Sequence, residues 1–268
     1  MVRDLGRSLL AEGRVMIRTL LLRASVAVLI LGAWEIAPRA GLADPTFLPP
    51  FSSVVDALWN WIASGEIVRH VSISLQRTAL GLGLSILIGV PLGILIGTSH
   101  LFAGAFDGPL QASRQVSAIA LFPVFILFFG IGELSKVMII FWASVWPILL
   151  NATAGVTDVD PVLIRSARSM GARGLVLFRK VTLPAATPAI FTGIRTGAAY
   201  AFMVLVAAEM IGANAGLGFL VLHSQEVFRI PQMYAAIVAL AIFGLVLNKL
   251  LLVLEHNLTS WRAAATGH

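Results

Sequence analysis

From Thr78 to Phe106 the chain runs without a single Asp, Glu, Lys or Arg. A helix needs about 20 mostly apolar residues to cross the hydrocarbon core of a bilayer, so this run alone is long enough for one crossing. Further runs of the same kind place crossings at roughly 20–37, 115–132, 137–157, 190–211 and 230–254, with 78–98 as the second of six. Hydrophobic residues make up 58% of the chain, charged residues only 12%, and the mean hydropathy is +0.92. Soluble domains carry about 25% charged residues. A chain this poor in charge cannot cover its surface with solvated groups, which excludes disorder, a coiled coil, a disulfide scaffold and a collagen-like fibre. The expected fold is all-α, a polytopic membrane protein with about six transmembrane helices.

Lys and Arg then set the orientation. With the N-terminus in the cytoplasm, that face carries twelve of the 19 basic residues, among them Arg3, Arg7, Arg14, Arg18, Arg165, Arg168 and Arg173. The opposite face carries five: Arg39, Arg69, Arg77, Lys136 and Arg229. Both termini are therefore expected inside. The net charge of +6 is a topology signal and does not point to nucleic acid. The basic stretch before the first span resembles a secretory signal, but it is over 20 residues long and no small-x-small cleavage site precedes Asp44, so a retained span is expected. The chain divides into an N-terminal segment at 1–19, a transmembrane domain at 20–262 and a tail at 263–268. An amphipathic stretch at Ser52–Ser64 lies in an outer segment of about 38–77, and the most polar segment, about 156–189, lies inside.

Within the spans, Ser85, Gly89, Gly93 and Gly97 recur every four residues, and Gly193, Gly197 and Ala201 do the same. Small residues at this spacing let helix backbones approach closely in a bilayer; the interface so formed is either static packing or a moving one. Pro91, Pro123 and Pro147 fall inside spans and should kink them. Ionisable or amide groups are costly at membrane depth. They single out Asn151 as cavity-lining or interhelical, and Glu209, near an outer helix end, as either solvated or part of a pathway. With no cysteine, no clustered histidines, no paired carboxylates and no Ser/His/Asp set, neither chemistry on a substrate nor a metal site is expected.

The inner segment carries the informative motif. Asp160 is a good N-cap, Pro161 is pre-set for the first helical position, and Gly171 suits the left-handed residue that closes a helix. The spacing predicts a helix of about ten residues with Leu163, Ala167 and Met170 on one face and Arg165, Arg168 and Ser169 on others. An apolar face on a short exposed helix needs a cover, either a partner or lipid headgroups.

Arg165-Ser166-Ala167, Gly171, Val181, Leu183 and Pro184 fall in the register Glu-Ala-Ala-x3-Gly-x9-Ile-x-Leu-Pro. That pattern resembles the cytoplasmic loop of permease subunits of binding-protein-dependent ABC importers. Arg165 and Ser166 depart from its Glu and first Ala. Leu48-Pro-Pro, His70 to Arg77, Gly89-Val-Pro-Leu-Gly93, Phe129-Gly-Ile-Gly-Glu133, Ala207-Ala-Glu209 and Gly216-Leu-Gly-Phe219 extend the resemblance to the sulfonate/taurine/nitrate/bicarbonate branch. Where that branch begins span three with Arg-x-Val/Ile-Pro-Pro-Leu-Ala, this chain reads Arg114-Gln-Val-Ser-Ala-Ile-Ala120, without either proline.

The resemblance implies a type I ABC importer permease fold and a homodimer with two ABC ATPase subunits and one external solute-binding protein. Leu163, Arg165, Ser166, Ala167, Met170, Gly171, Leu183 and Pro184 would form the ATPase-coupling loop. It implies import of a small anion, an aliphatic sulfonate or taurine-like solute first, nitrate or bicarbonate next. The chain itself has no G-x-x-x-x-G-K-[ST] loop, so no cofactor is expected in it, and ATP and magnesium would be held by the partner ATPase. An ion-gradient-driven secondary transporter is the alternative; it would want carboxylates near the bilayer centre.

Overall fold

The computed structural model describes residues 22, 25, 26 and 28–263, and among these every regular element is helical. The elements are α1 (28–39), α2 (Phe51–Ala63), α3 (Glu66–Thr98), α4 (His100–Gln115), α5 (Ala118–Phe129), α6 (Glu133–Thr157), α7 (Pro161–Ser169), α8 (Gly174–Leu177), a π-turn (Phe178–Thr182), α9 (Leu183–Gly212), α10 (Leu217–Glu226) and α11 (Ile230–Ala263). The N-terminal segment 1–19, part of the first span and the tail from residue 264 lie outside the described residues. Among the described residues four stretches are long and apolar enough to cross a membrane: α3, α6, the run Gly174–Gly212 and the run Ile230–Glu255.

Three boundaries differ from the sequence expectation. The second crossing begins at Glu66, twelve residues before the apolar run does. The extra turns carry His70, Ser74 and Arg77, polar residues that are nonetheless buried. Where the third crossing is expected stands only α5, 12 residues, or about 18 Å at 1.5 Å per residue. That is too short for a core of about 30 Å; it starts at Ser117 and ends at Gly130, whose φ of 78° closes the helix. The stretch at 156–189 is mostly helical, and its last residues continue into α9 through the π-turn. Pro184 accounts for that turn. It has no N–H to donate, and its ring clashes with the carbonyl four residues back, so the ladder widens just before it.

The core is a slab of three helices with α6 between α3 and α9. Glycine is what lets them meet. A Cβ at Gly93 would fall 2.5 Å from the Leu149 carbonyl oxygen on α6, and one at Gly193 would fall 2.6 Å from the Asn151 Cβ. The small-residue rows thus pack within one chain, on opposite sides of α6. Ser85 and Ser144 tie α3 to α6 with hydroxyls 2.7 Å apart. Across this slab Ile148, Ala152, Ala198, Ala201 and Leu205 are sealed. Pro91, Pro123 and Pro147 all lie inside continuous helices.

Around the slab, α10 and α11 cover α9, and α2 lies on α11 through Val54, Ala57 and Ala235. The α2 start is held from outside its own helix. Glu35 accepts from the Ser52 N–H (2.8 Å) and hydroxyl (3.0 Å), supplying the cap that Pro50 cannot. Trp34 Nε1 donates to the Pro49 carbonyl at 3.0 Å. The slab therefore has an α2 end, where α3 and α6 begin and α9 finishes, and an α7 end, where α6 finishes and α9 begins.

Candidate functional site

At the α7 end, α7 is built from its caps outward. The Asp160 carboxylate accepts from the Val162 N–H at 2.7 Å, and Pro161 occupies the first turn. The other end closes through Gly171 at φ 86°. Gly171 N–H donates to the Arg168 carbonyl and Ala172 N–H to the Ala167 carbonyl, both at 3.0 Å. That pair is the Schellman closure, which satisfies the last carbonyls and turns the chain sharply.

The predicted apolar face is divided by the structure. Leu163 is 50% exposed and Met170 80%, whereas Ala167 is 3% exposed. α7 rests on α8 and the π-turn, and Ala167 is the residue underneath. The expectation that all three would be offered to a partner is corrected for Ala167: the chain itself covers it. What remains outward is Val162, Leu163 and Met170, continued by Leu175 and Val176 on the next turn. Arg165, Ser166 and Arg168 are exposed beside them, while Leu183 and Pro184 are half-buried at the start of α9. A cleft of about 610 Å³ runs beside this surface, bounded by Asp158, Asp160, Leu163, Lys180 and Pro184.

At the α2 end, Glu209 is 0% exposed, which corrects the reading of it as a solvated helix end. Its carboxylate accepts from the Ser74 hydroxyl (2.7 Å), Arg77 Nη1 (2.8 Å) and the Gly218 N–H (2.8 Å). Arg77, 3% exposed, also donates twice to Glu133 at 2.6 Å and to the Ala215 carbonyl at 2.7 Å. The Leu217 N–H donates to Ser74, and the Gly216 N–H to His70 Nδ1. Gly216 adopts φ 125°, and any Cβ there would overlap the Glu209 carboxylate. Four stretches scattered over the sequence, around His70–Arg77, Glu133, Glu209 and Gly216–Gly218, are thus one hydrogen-bonded node.

The sequence reading missed this node. Its available signal was the spacing of His70, Ser74 and Arg77, at i, i+4 and i+7, which puts three polar groups on one helical face. Asn151, the other pathway candidate, is half-buried on α6 and donates to the Pro147 carbonyl at 2.8 Å within its own helix. It borders a cavity of about 610 Å³ at mid-height of the slab, far from Glu209's node. The structure therefore does not bring Asn151 and Glu209 together. Among the described residues no group of His, Asp and Glu could hold a metal ion.

Comparisons with known proteins agree with this architecture. The chain is 36% identical to the taurine transport system permease protein TauC of Escherichia coli (strain K12), over 88% of each chain. It is 33% identical to the putative aliphatic sulfonates transport permease protein SsuC of Bacillus subtilis (strain 168), over 89% of this chain and 86% of the relative. Among solved structures, a chain of the inward-facing MetNI methionine ABC transporter superimposes with a TM-score of 0.61, covering 72% of this chain and 95% of that one at 20% identity. That likeness establishes a shared fold. The family model described as "binding-protein-dependent transport system inner membrane component" matches residues 89–261, and the chain belongs to that family, the membrane permeases of ABC importers.

Proposed function

We propose that this chain is the permease subunit of an importer that carries a small anion, most closely an aliphatic sulfonate or taurine, across a bacterial inner membrane. In the assembly two copies pair, each bears one ABC ATPase subunit, and an external solute-binding protein delivers the solute. The N-terminal segment at 1–19 and the tail at 263–268 lie in the cytoplasm with the α7 end, and 20–262 is the permease domain. ATP and magnesium bind the ATPase, and this chain holds no cofactor.

The observation that supports this reading is the α7 surface. A helix fixed at both ends by its own caps presents Val162, Leu163 and Met170 outward, each half exposed or more among the described residues. An amphipathic helix of this kind docks in a groove. Arg165, Ser166, Gly171, Leu183 and Pro184 set its position and the turn into α9, so a push on α7 reaches the slab through one continuous helix. The relatives at 36% and 33% identity carry taurine and aliphatic sulfonates in their names, and the anion class rests on them.

The test is reconstitution. The permease, ATPase and binding protein in proteoliposomes should accumulate taurine or ethanesulfonate only with ATP inside the compartment that bears the ATPase. Accumulation driven by an ion gradient without the ATPase would overturn the reading.

A further inference from the structure

A cavity of about 770 Å³ lies at the α2 end, between the first turns of α3, the turn before α6, the end of α9 and α10. Among the described residues the cations Arg69, Arg77 and Lys136 border it, with the carboxylates Glu133 and Glu226. Arg69 is exposed, but Arg77 and Lys136 are each only 3% exposed. Buried cations are costly unless they are paired, and here the pairing is uneven.

Arg77 is anchored from behind. Its Nη1 donates to fully buried Glu209 at 2.8 Å and to the Ala215 carbonyl at 2.7 Å. The other edge, Nε and Nη2, donates twice to Glu133 at 2.6 Å, and that side chain is 66% exposed. A guanidinium edge offers two parallel N–H groups, which suit any oxyanion with two oxygens side by side. A fixed, buried arginine is thus covered on its cavity side by a carboxylate that stands mostly in water. Lys136 is paired less well. Its Nζ donates to the Gly132 carbonyl at 3.0 Å and stays 3.9 Å from Glu133 Oε1, beyond hydrogen-bond distance. A carboxylate has two oxygens, and the Arg77 edge takes both. Glu133 is also placed to leave. It is the first residue of α6, and a Cβ added at Gly132 before it would meet nothing within 4 Å. With Glu133 turned out to water, the Arg77–Glu209 pair still holds the node together.

We infer that this cavity is an anion-binding site at the mouth of the transport path, where the solute's oxyanion displaces Glu133 from the Nε/Nη2 edge of Arg77 and offers a third oxygen to Lys136. The inference deepens the importer reading above, on which the solute class and the outward position of the α2 end rest. The exchange conserves charge: one monoanion leaves the Arg77–Lys136 pair as another arrives, so neither state bares a buried cation. It also sets a preference. A sulfonate or nitrate has three oxygens, two for the arginine edge and one for the ammonium, where a carboxylate has none to spare. Ile131, Met210 and Phe219 line the same cavity and offer apolar contact to a short carbon chain.

The chain has no cysteine, so Gln76→Cys, at an exposed position lining the cavity, gives one reporter per copy in the permease–ATPase assembly, its alkylation read by mass spectrometry. Millimolar ethanesulfonate or nitrate should slow the labelling several-fold, propionate much less, and choline not at all. Equal labelling with and without ethanesulfonate would overturn the site. Glu133→Gln weakens the tethered competitor, and half-protection should then need several-fold less ethanesulfonate. Glu226→Gln makes the same change of charge in the same cavity, but the Arg77 donors go to Glu133, Glu209 and Ala215, so it should shift that concentration less than about twofold. Equal shifts in the two variants would mean a general field and sink the displacement. Lys136→Met removes the ammonium and should erase the preference for ethanesulfonate over propionate, which loss of a merely structural lysine would not do; a preserved preference takes the third oxygen away from Lys136. Glu133→Gln alters an exposed side chain, so it decides the displacement even where Lys136→Met does not assemble. ATP-driven uptake separates the two readings. Protection without uptake keeps the site and sinks the importer, and uptake without protection does the reverse.

Discussion

At the α2 end of the bundle, charge is paired off: Arg77 is shared between Glu133 and Glu209, and the Ser74 hydroxyl and Gly218 N–H complete the bonds to Glu209. At the α7 end the arrangement is reversed. Arg165 and Arg168 face out, apolar Leu163 and Met170 stand beside them uncovered, and order comes from two local caps. One end is locked by bonds spanning more than a hundred residues; the other is shaped within a dozen. The first arrangement suits a part that must hold its form, the second a part that must be complementary to something else.

The comparison breaks first at Arg77. Arg77→Ala leaves Glu209 as an uncompensated buried charge, and a loss of about 3–5 kcal/mol is expected. It should show as a collapse of yield and of melting temperature in detergent. Arg77→Met combined with Glu209→Gln removes both charges and should recover most of the loss. If the single change is tolerated, the node is not load-carrying and the contrast between the two ends fails.

Ala167→Glu comes next. With Ala167 covered by its own chain, the introduced carboxylate is desolvated beneath α7 at a cost of about 1–3 kcal/mol. The damage should stay local: faster proteolysis within 158–182, loss of ATPase association, and an intact α2 end. Gly171→Val is milder, about 1–2 kcal/mol, because a β-branched residue must adopt φ near 86°; uptake should fall while the protein still inserts. Met170→Glu completes the series. Met170 is exposed, so stability should change by less than about 0.5 kcal/mol, but ATPase co-purification should drop at least tenfold. Retained association in Met170→Glu would show that this surface is not what the ATPase grips.

Those rankings also explain which parts of the molecule were legible in its sequence. α7 was readable almost to the residue, because Asp160, Pro161 and Gly171 act on neighbours two to five positions away and leave a local signature. The four long apolar helices were readable because hydrocarbon selects composition directly. The α2-end node was not, since Ser74 and Glu209 are 135 residues apart and each looks like a surface residue alone. The same blindness placed the start of α3 too late: of the polar residues in its first turns, His70, Ser74 and Arg77 bond to α9 and the loop after it, while Glu66, Arg69 and Gln76 stay exposed. Ala167 failed for a related reason. Periodicity says which residues share a face, but only the fold says which part of that face the chain itself covers.

The Arg77–Glu209 pair also has a consequence for how the molecule is made. The two residues are 132 positions apart. At about 5–20 residues per second of synthesis, the arginine emerges on the order of ten seconds before its buried counter-charge exists. Glu133, 56 positions on, arrives sooner and remains exposed in the finished fold. A nascent α3 therefore carries a guanidinium on its leading turns with no buried counter-charge until α9 arrives. The pair is thus a bond that the fold can close only after α9 has been made.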